Sequence, residues 1–257
     1  MENPFGLDAK GHFWEILRKV GGSSLHLDFG AHDGQMLQRL AGTGLIANGV
    51  GLDANSEVVT KSRTSLPANV QLQIIKKGAP LPFADAYFTS ASIVGVLEHI
   101  HDQARILNEL NRVTKDDGLF MIAVPGKHLF SFLDMGNWKF VFPRLHRVFY
   151  QVAFGRQAYA TRYLANSDGL IGDIEAEKAW HEHFSKAELR SLLAVHGFKV
   201  LEMDGYGFFN RALMNARYFL PGVLKRFLDP IILLDKKLFS SAEIWAIARK
   251  RSSGARQ

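Results

Sequence analysis

The sequence predicts an α/β fold built on a mostly parallel sheet, and three observations carry that expectation. Short apolar runs alternate with helix-period stretches along the chain, the rhythm of strands joined by crossover helices. The first run, Leu25-His26-Leu27-Asp28-Phe29, opens into a glycine-bearing turn, Gly30-Ala31-His32-Asp33-Gly34. The second, Val50-Gly51-Leu52-Asp53, closes on an acid. Finally, 257 residues with 47% hydrophobic content suffice for a sizeable core in one domain.

Taken in order, strands are expected near 24–29, 49–53, 70–75, 88–94 and 118–124. Helices fit 34–42, 56–64 and 102–115 between them. The last of these sets Ile106, Leu107, Leu110 and Val113 on one face behind an Asp102 N-cap, and Asp116-Asp117-Gly118 turns the chain into the next strand. A later helix starts at Ser185, whose hydroxyl can form a capping box with Glu188. It runs through Leu189, Leu192 and Leu193 to His196-Gly197. Two more strands are expected near 198–205 and 242–249.

Two stretches break the rhythm where α/β ligands bind. Residues 127–183 mix aromatic and basic side chains, among them Phe130, Trp138, Arg144, Arg147, Tyr150 and Tyr163, and read as a lid over the substrate. Residues 208–241 form a second helical insertion. Within it Val223, Leu224, Phe227, Leu228, Ile231 and Ile232 recur at helical spacing, with Pro230 expected to kink the helix. Burial against the sheet is the expectation for this stretch; an interfacial helix on a membrane is the alternative.

Composition narrows the function classes. The absence of cysteine excludes disulfides, thiolate nucleophiles and Cys-bearing zinc sites. Met1 to Lys10 lacks the regions of a signal peptide, and no apolar run approaches the roughly 20 residues of a spanning helix. The expected location is cytoplasmic, with contact at the inner membrane face as the alternative. The net charge of +6 is unevenly shared: −2 over residues 1–126 and +8 over 127–257. A basic second half suits a phosphate-bearing substrate or an anionic membrane face, and equally ordinary solvated helices. A lid over an apolar pocket accounts for the aromatic and Arg interleaving more simply than base stacking, so nucleic acid is not an expected partner.

The first turn selects its ligand by charge. A dinucleotide would bring a pyrophosphate to the start of the first crossover helix, where Asp28 and Asp33 would repel it, and its fingerprint has a glycine where His32 stands. A sulfonium and an ammonium are favoured by the same acids. Asp53 is placed to accept hydrogen bonds from two ribose hydroxyls. Together these features describe a pocket for S-adenosylmethionine.

Further segments carry a family resemblance. Leu81-Pro82-Phe83-Ala84-Asp85-Ala86-Tyr87-Phe88, Val96-Leu97-Glu98-His99-Ile100-His101-Asp102, Leu107 to Gly118, and Phe184 to Leu189 with Gly197-Phe198 resemble class I S-adenosylmethionine-dependent methyltransferases of the type 11 kind. The resemblance covers roughly 24–126 and 180–207. It implies a Rossmann-like seven-stranded sheet with an antiparallel last strand and helices on both faces. It also implies roles: Asp28, Gly30 and Gly34 at the methionine end of the cofactor, Asp53 at the ribose, Lys77 and Gly78 at the adenine edge, and Val94 beneath the methyl donor. The chain departs from the family pattern at His32, where a glycine is usual, at Lys77, where an acid often accepts the adenine amino group, and at Thr89, in place of a common Asp.

Methyl transfer to an amine or carboxylate needs little beyond alignment, whereas a hydroxyl needs a base to take its proton. His99 and His101 follow the fourth strand and are the catalytic candidates; His128, His181 and His183 are further histidines near the cleft. For His99 the simpler role is packing and capping of its loop. Glu98, His99, His101 and Asp102, or Trp180-His181-Glu182-His183, are too crowded in sequence for a convenient one-ion site, so no metal is expected. The resulting expectation is O-methylation of a small-molecule or glycan acceptor, with carbon or nitrogen methylation of a lipid-like or quinone-like acceptor, or a non-catalytic protein of the same fold, as rivals.

Overall fold

A computed structural model of the protein describes residues 3–6, 8–76, 78–129, 131, 142–160 and 182–252. Its centre is a seven-stranded sheet in the order β3-β2-β1-β4-β5-β7-β6. The strands are β1 (Ser23–Phe29), β2 (Ile46–Asp53), β3 (Val70–Ile74), β4 (Phe88–Val94), β5 (Thr114–Pro125), β6 (Phe198–Tyr206) and β7 (Glu243–Lys250). β7 slots between β5 and β6 and runs antiparallel to both, while β1 through β5 pair in parallel. Strand order reverses between β1 and β4, which opens a crevice at their carboxyl ends.

Every expected strand is present. The fifth starts earlier than expected, at Thr114, and absorbs the Asp116-Asp117-Gly118 turn as an irregularity: the β4–β5 register jumps from Phe88↔Thr114 to Ser90↔Leu119, with Asp117 at φ +60°.

Apolar side chains divide between the two faces of the sheet. On one face, Ile106, Leu107, Leu110 and Val113 of α4 (Gln103–Val113) and Leu189 and Leu193 of α6 (Lys186–Val195) pack with Phe120 and Phe198. Asp102 caps the first helix, accepting from the Arg105 N–H at 3.0 Å, and Ser185 and Glu188 form the expected capping box on the second. On the other face, α1 (Ala9–Val20), α2 (Gln35–Gly42) and α3 (Ser56–Ser62) bury Phe13, Trp14, Leu37 and Val59 against Ile46, Met121 and Ile247.

Helix α1 was not among the expected elements. Its signals are nonetheless ordinary: Asp8 accepts the Gly11 N–H at 3.0 Å as N-cap, Gly21 closes the helix at φ +84°, and Phe13, Trp14, Ile16 and Leu17 make one buried face.

The Leu81 to Tyr87 segment is held to α4 through one side chain. Arg112 donates to both Glu109 oxygens at 2.8 and 2.9 Å, to Asp85 at 2.8 Å, and to the carbonyls of Phe83 and Leu81 at 2.8 and 3.0 Å. Glu109 in turn accepts the Leu81 N–H at 2.7 Å.

Within the lid stretch, α5 (Pro143–Phe154) is described, while 132–141 and 161–181 lie outside the described residues. In the second insertion, α7 (Asn210–Phe219) packs on α8 (Gly222–Leu238), which continues through Pro230. Burial of α8 proves to be narrow. Ile232 and Asp235 are covered, but Val223 is 74% exposed, Phe227 70% and Leu238 65%. The apolar spacing that suggested burial instead gives α8 an outward stripe.

Candidate cofactor and catalytic site

The first turn is shaped by backbone as much as by side chains. Gly30 stands at φ +81°, and a Cβ there would lie 2.1 Å from Val96 Cγ2, so only glycine lets the loop pass beneath the end of β4. The N–H groups of Gly30 and Ala31 donate to Leu52 O at 2.7 and 3.0 Å, tying the turn to β2. His32 adopts φ +50°, a left-handed conformation that a glycine would take without strain. Its N–H donates to Asp53 Oδ2 at 2.7 Å, while Asp53 Oδ1 accepts the Asn55 N–H at 2.8 Å. Gly34 then starts α2 at φ +75°.

Asp28 sits at the floor of this loop, 4% exposed, and accepts from the Ser92 hydroxyl at 2.6 Å. Burial drives its carboxyl up to about 6, against the pull of the Ser92 hydrogen bond and the nearby Lys10. Behind it His26 is fully enclosed. Its Nε2 lies 3.0 Å from Ser92 Oγ and its Nδ1 2.7 Å from Ser90 Oγ, and burial holds the ring neutral by lowering its pKa to about 3. Phe13 of α1 covers this ring at 5.4 Å.

A cleft of about 380 Å³ opens above Asp28, lined also by Gly30, Ala31, His32, Asp33 and Val94. The amino-terminal segment completes it with Phe5, Asp8 and Lys10, and α2 adds Met36 and Arg39. Asp28, Gly30 and Val94 are thus brought together in one cleft. Asp53 stands behind the loop, joined through the His32 N–H, and Gly34 starts the helix beyond. Gly78 lies in an exposed turn after β3, and Lys77 lies outside the described residues. Thr89 is structural: its hydroxyl accepts the Leu25 N–H at 3.0 Å and donates to the Leu25 carbonyl at 2.9 Å.

The catalytic candidates stand apart from the cleft lining. His99 is buried in a single 3₁₀ turn, Leu97–His99, and His101 is exposed just beyond it. This turn continues from Val96, the residue that rests on Gly30. The His128 N–H donates to Ser131 Oγ at 2.8 Å. Trp180 and His181 lie outside the described residues, while Glu182 Oε2 accepts from Gln103 at 2.8 Å. No cluster of three or more metal-ligating side chains occurs among the described residues.

Residues 27–122, which hold the loop, both strand-end acids and α4, match the family model of the methyltransferase domain. The match makes this segment, 96 of the 257 residues, similar to a methyltransferase domain. The chain is also similar to an uncharacterized protein of Methanocaldococcus jannaschii, 27% identical over 232 residues that cover 87% of this chain and 80% of the relative. Its fold is that of an S-adenosylmethionine-dependent methyltransferase from Mesorhizobium loti, with a TM-score of 0.56, 17% identity and coverage of 95% of this chain and 100% of the other. It likewise matches the fold of the Burkholderia thailandensis 1,6-didemethyltoxoflavin-N1-methyltransferase, solved with S-adenosylhomocysteine, with a TM-score of 0.55, 14% identity and coverage of 96% and 80%.

The residues present fit S-adenosylmethionine. A cleft of about 380 Å³ is of ligand-binding size, and its acids, Asp28 and Asp33, suit a cationic group rather than a phosphate. Lys10 and Arg39 offer the opposite charge for a carboxylate on the same ligand. Each Asp53 oxygen accepts one backbone N–H and so keeps acceptor capacity for a ribose hydroxyl. Asp8, Lys10 and Arg39 carry no local signal of a cleft; only the docking of α1 and α2 beside the first turn brings them to it.

Proposed function

We propose that the protein is a methyltransferase acting on a hydroxyl oxygen of a small-molecule or glycan acceptor that carries a phosphate or a lipid-like part. The observation that supports this reading is the seat of the Leu97–His99 turn, whose leading neighbour Val96 packs on the cofactor loop at Gly30. S-adenosylmethionine supplies a methyl group already activated on a positive sulfur. The protein's share is therefore alignment and one proton. For a hydroxyl acceptor His101, exposed just beyond the turn, or His99, buried within it, would take the proton, and the acids near the loop would favour the cationic end of the cofactor in the cleft. Replacing His99 and His101 by Ala in turn tests the assignment with labelled cofactor and product mass spectrometry. Loss of turnover on a hydroxyl acceptor in either variant supports a base; unchanged turnover in both removes the base and with it the case for oxygen.

A second reading, carbon or nitrogen methylation of a lipid-like or quinone-like acceptor, is favoured by α8. Val223, Leu224, Phe227, Ile231, Leu234 and Leu238 form an exposed apolar face bordered by Arg226 and Lys237. The two acids of the helix are engaged elsewhere: Asp229 pairs with Arg217 at 2.6 Å, and Asp235 is buried, accepting the Phe208 and Phe209 N–H groups. A cation-bordered apolar face of this kind suits the surface of an anionic bilayer. No helix among the described residues is long and apolar enough to cross a membrane. Flotation with vesicles containing anionic lipid tests the surface: binding lost in Phe227→Ser supports it, and absence of wild-type binding ends it.

A further inference from the structure

The β1–β4 register places Ser90 opposite His26 and Ser92 opposite Asp28, so these four polar side chains share one buried line inside the sheet, which Ser23 extends. The line runs from Asp28 Oδ1 to Ser92 Oγ at 2.6 Å, to His26 Nε2 at 3.0 Å, from His26 Nδ1 to Ser90 Oγ at 2.7 Å, and on to Ser23 Oγ at 2.7 Å. Asp28 faces the cofactor cleft, whereas Ser23 and Ser90 line a separate cavity of about 210 Å³ near the amino ends of the strands. An apolar filling would stabilise a sheet interior without such a row, since each polar group buried there must be satisfied.

We propose that His26 is a positioning residue for the cofactor site, its ring tautomer following the charge of Asp28 through Ser92. Each hydroxyl has one proton to give, so the row has two self-consistent arrangements. With Asp28 ionised, Ser92 donates to the carboxylate, His26 Nε2–H donates to Ser92, and Ser90 donates to Nδ1. With Asp28 protonated, the carboxyl donates to Ser92, Ser92 donates to Nε2, Nδ1–H donates to Ser90, and Ser90 donates to Ser23. The second state holds one proton more, bound on Asp28; the imidazole is neutral in both. His26 thus supplies the donor that Ser92 needs when the carboxylate is charged, the form that attracts the cationic end of the cofactor. The titratable and charged groups around Asp28 are Lys10 and Asp8 from the amino-terminal segment, Asp53 from β2, and His32, Asp33 and Arg39 from the loop and α2. The neutral ring follows from its burial, and the raised Asp28 places the change between the two states near physiological pH.

This inference rests on the methyltransferase reading only for the identity of the ligand. ¹⁵N NMR of the His26 ring in the ligand-free wild-type protein tests the coupling by itself: the proton should move from Nδ1 to Nε2 as pH rises from 5 to 8. A ring that keeps one tautomer across that range overturns the proposal. Calorimetry with S-adenosylhomocysteine then tests the consequence. In His26→Phe the Asp28 carboxyl rises further, and binding at pH 7 weakens roughly tenfold while recovering at pH 9. His26→Gln, whose amide can donate to Ser92 and accept from Ser90, restores binding. A Phe variant whose affinity follows the wild-type pH profile counts against the proposal, and where Phe does not fold, the Gln variant and the wild-type spectra decide it. Failure of the wild-type protein to bind S-adenosylhomocysteine at any pH would count against the cofactor assignment and leave the tautomer result standing.

Discussion

The His32 N–H donates to Asp53 Oδ2 at 2.7 Å, so the acid that closes β2 also holds the loop that follows β1. One carboxylate thereby fixes the spacing between the two parts of the cofactor site. Asp53→Ala removes the acceptor for both the His32 and Asn55 N–H groups. It should lower stability by about 1–3 kcal/mol and weaken S-adenosylhomocysteine binding at least tenfold. Urea unfolding and titration calorimetry measure the two losses; an unchanged affinity would place the ribose elsewhere.

His32 itself holds a left-handed backbone at φ +50°. His32→Gly relieves that conformation and clears the side chain from the cleft, so cofactor affinity should rise a few-fold. Stability should change by no more than about 1 kcal/mol, because the relieved strain is offset by the greater freedom of glycine in the unfolded chain. Weaker binding in the variant would assign the imidazole a contact with the ligand.

The pH dependence of stability follows from Asp28. Its carboxyl is raised from 3.8 to about 6 on folding, so the native state holds this proton more tightly than the unfolded chain. Its contribution is therefore most favourable below pH 3.8 and declines as pH climbs through 6, by about 3 kcal/mol in all. Asp28→Asn, which keeps an acceptor for Ser92, should be more stable than wild type at pH 8 by up to that amount, with the difference fading toward pH 4. His26 acts in the opposite sense. Lowered from 6.5 to about 3, it contributes fully above pH 6.5 and less as pH falls toward 3 in both proteins, so it cancels from the comparison. Denaturant titrations at pH 4, 6 and 8 provide the check; a constant difference across them contradicts the assignment.

Arg112 joins α4 to the Leu81–Tyr87 segment through two carboxylates and two carbonyls. Arg112→Met leaves those acceptors without their donor, and the loss should be about 2 kcal/mol, seen as a lower urea midpoint with an unchanged slope. Cofactor affinity should hold, since none of these groups lines the cleft.

Much of this architecture was readable because local signals agreed with the global fold. The Ser185 capping box, the Asp102 cap and the apolar face of α4 each appear as their spacing suggests. Asp28, Gly30 and Val94 meet in one cleft because strand ends in a parallel sheet converge at the point where the order reverses. The His26 row was not readable. Its two halves are 64 residues apart, and only the register that sets His26 beside Ser90 and Asp28 beside Ser92 joins them. The outward face of α8 was misread for a different reason: helical spacing shows that a face is apolar, not what lies against it.

The last strand in the sheet is also an internal one, and this orders the way the molecule can be made. A nascent chain that has delivered β6 has delivered a strand with no other strand yet to pair with, because its hydrogen-bonding neighbour is drawn from residues 243–250, beyond two intervening helices. Until then β5 and β6 both present bare edges, the kind that recruit other chains. Ribosomes stalled between these strands should therefore hold an intermediate that associates with its neighbours, and arrival of the seventh strand should release it.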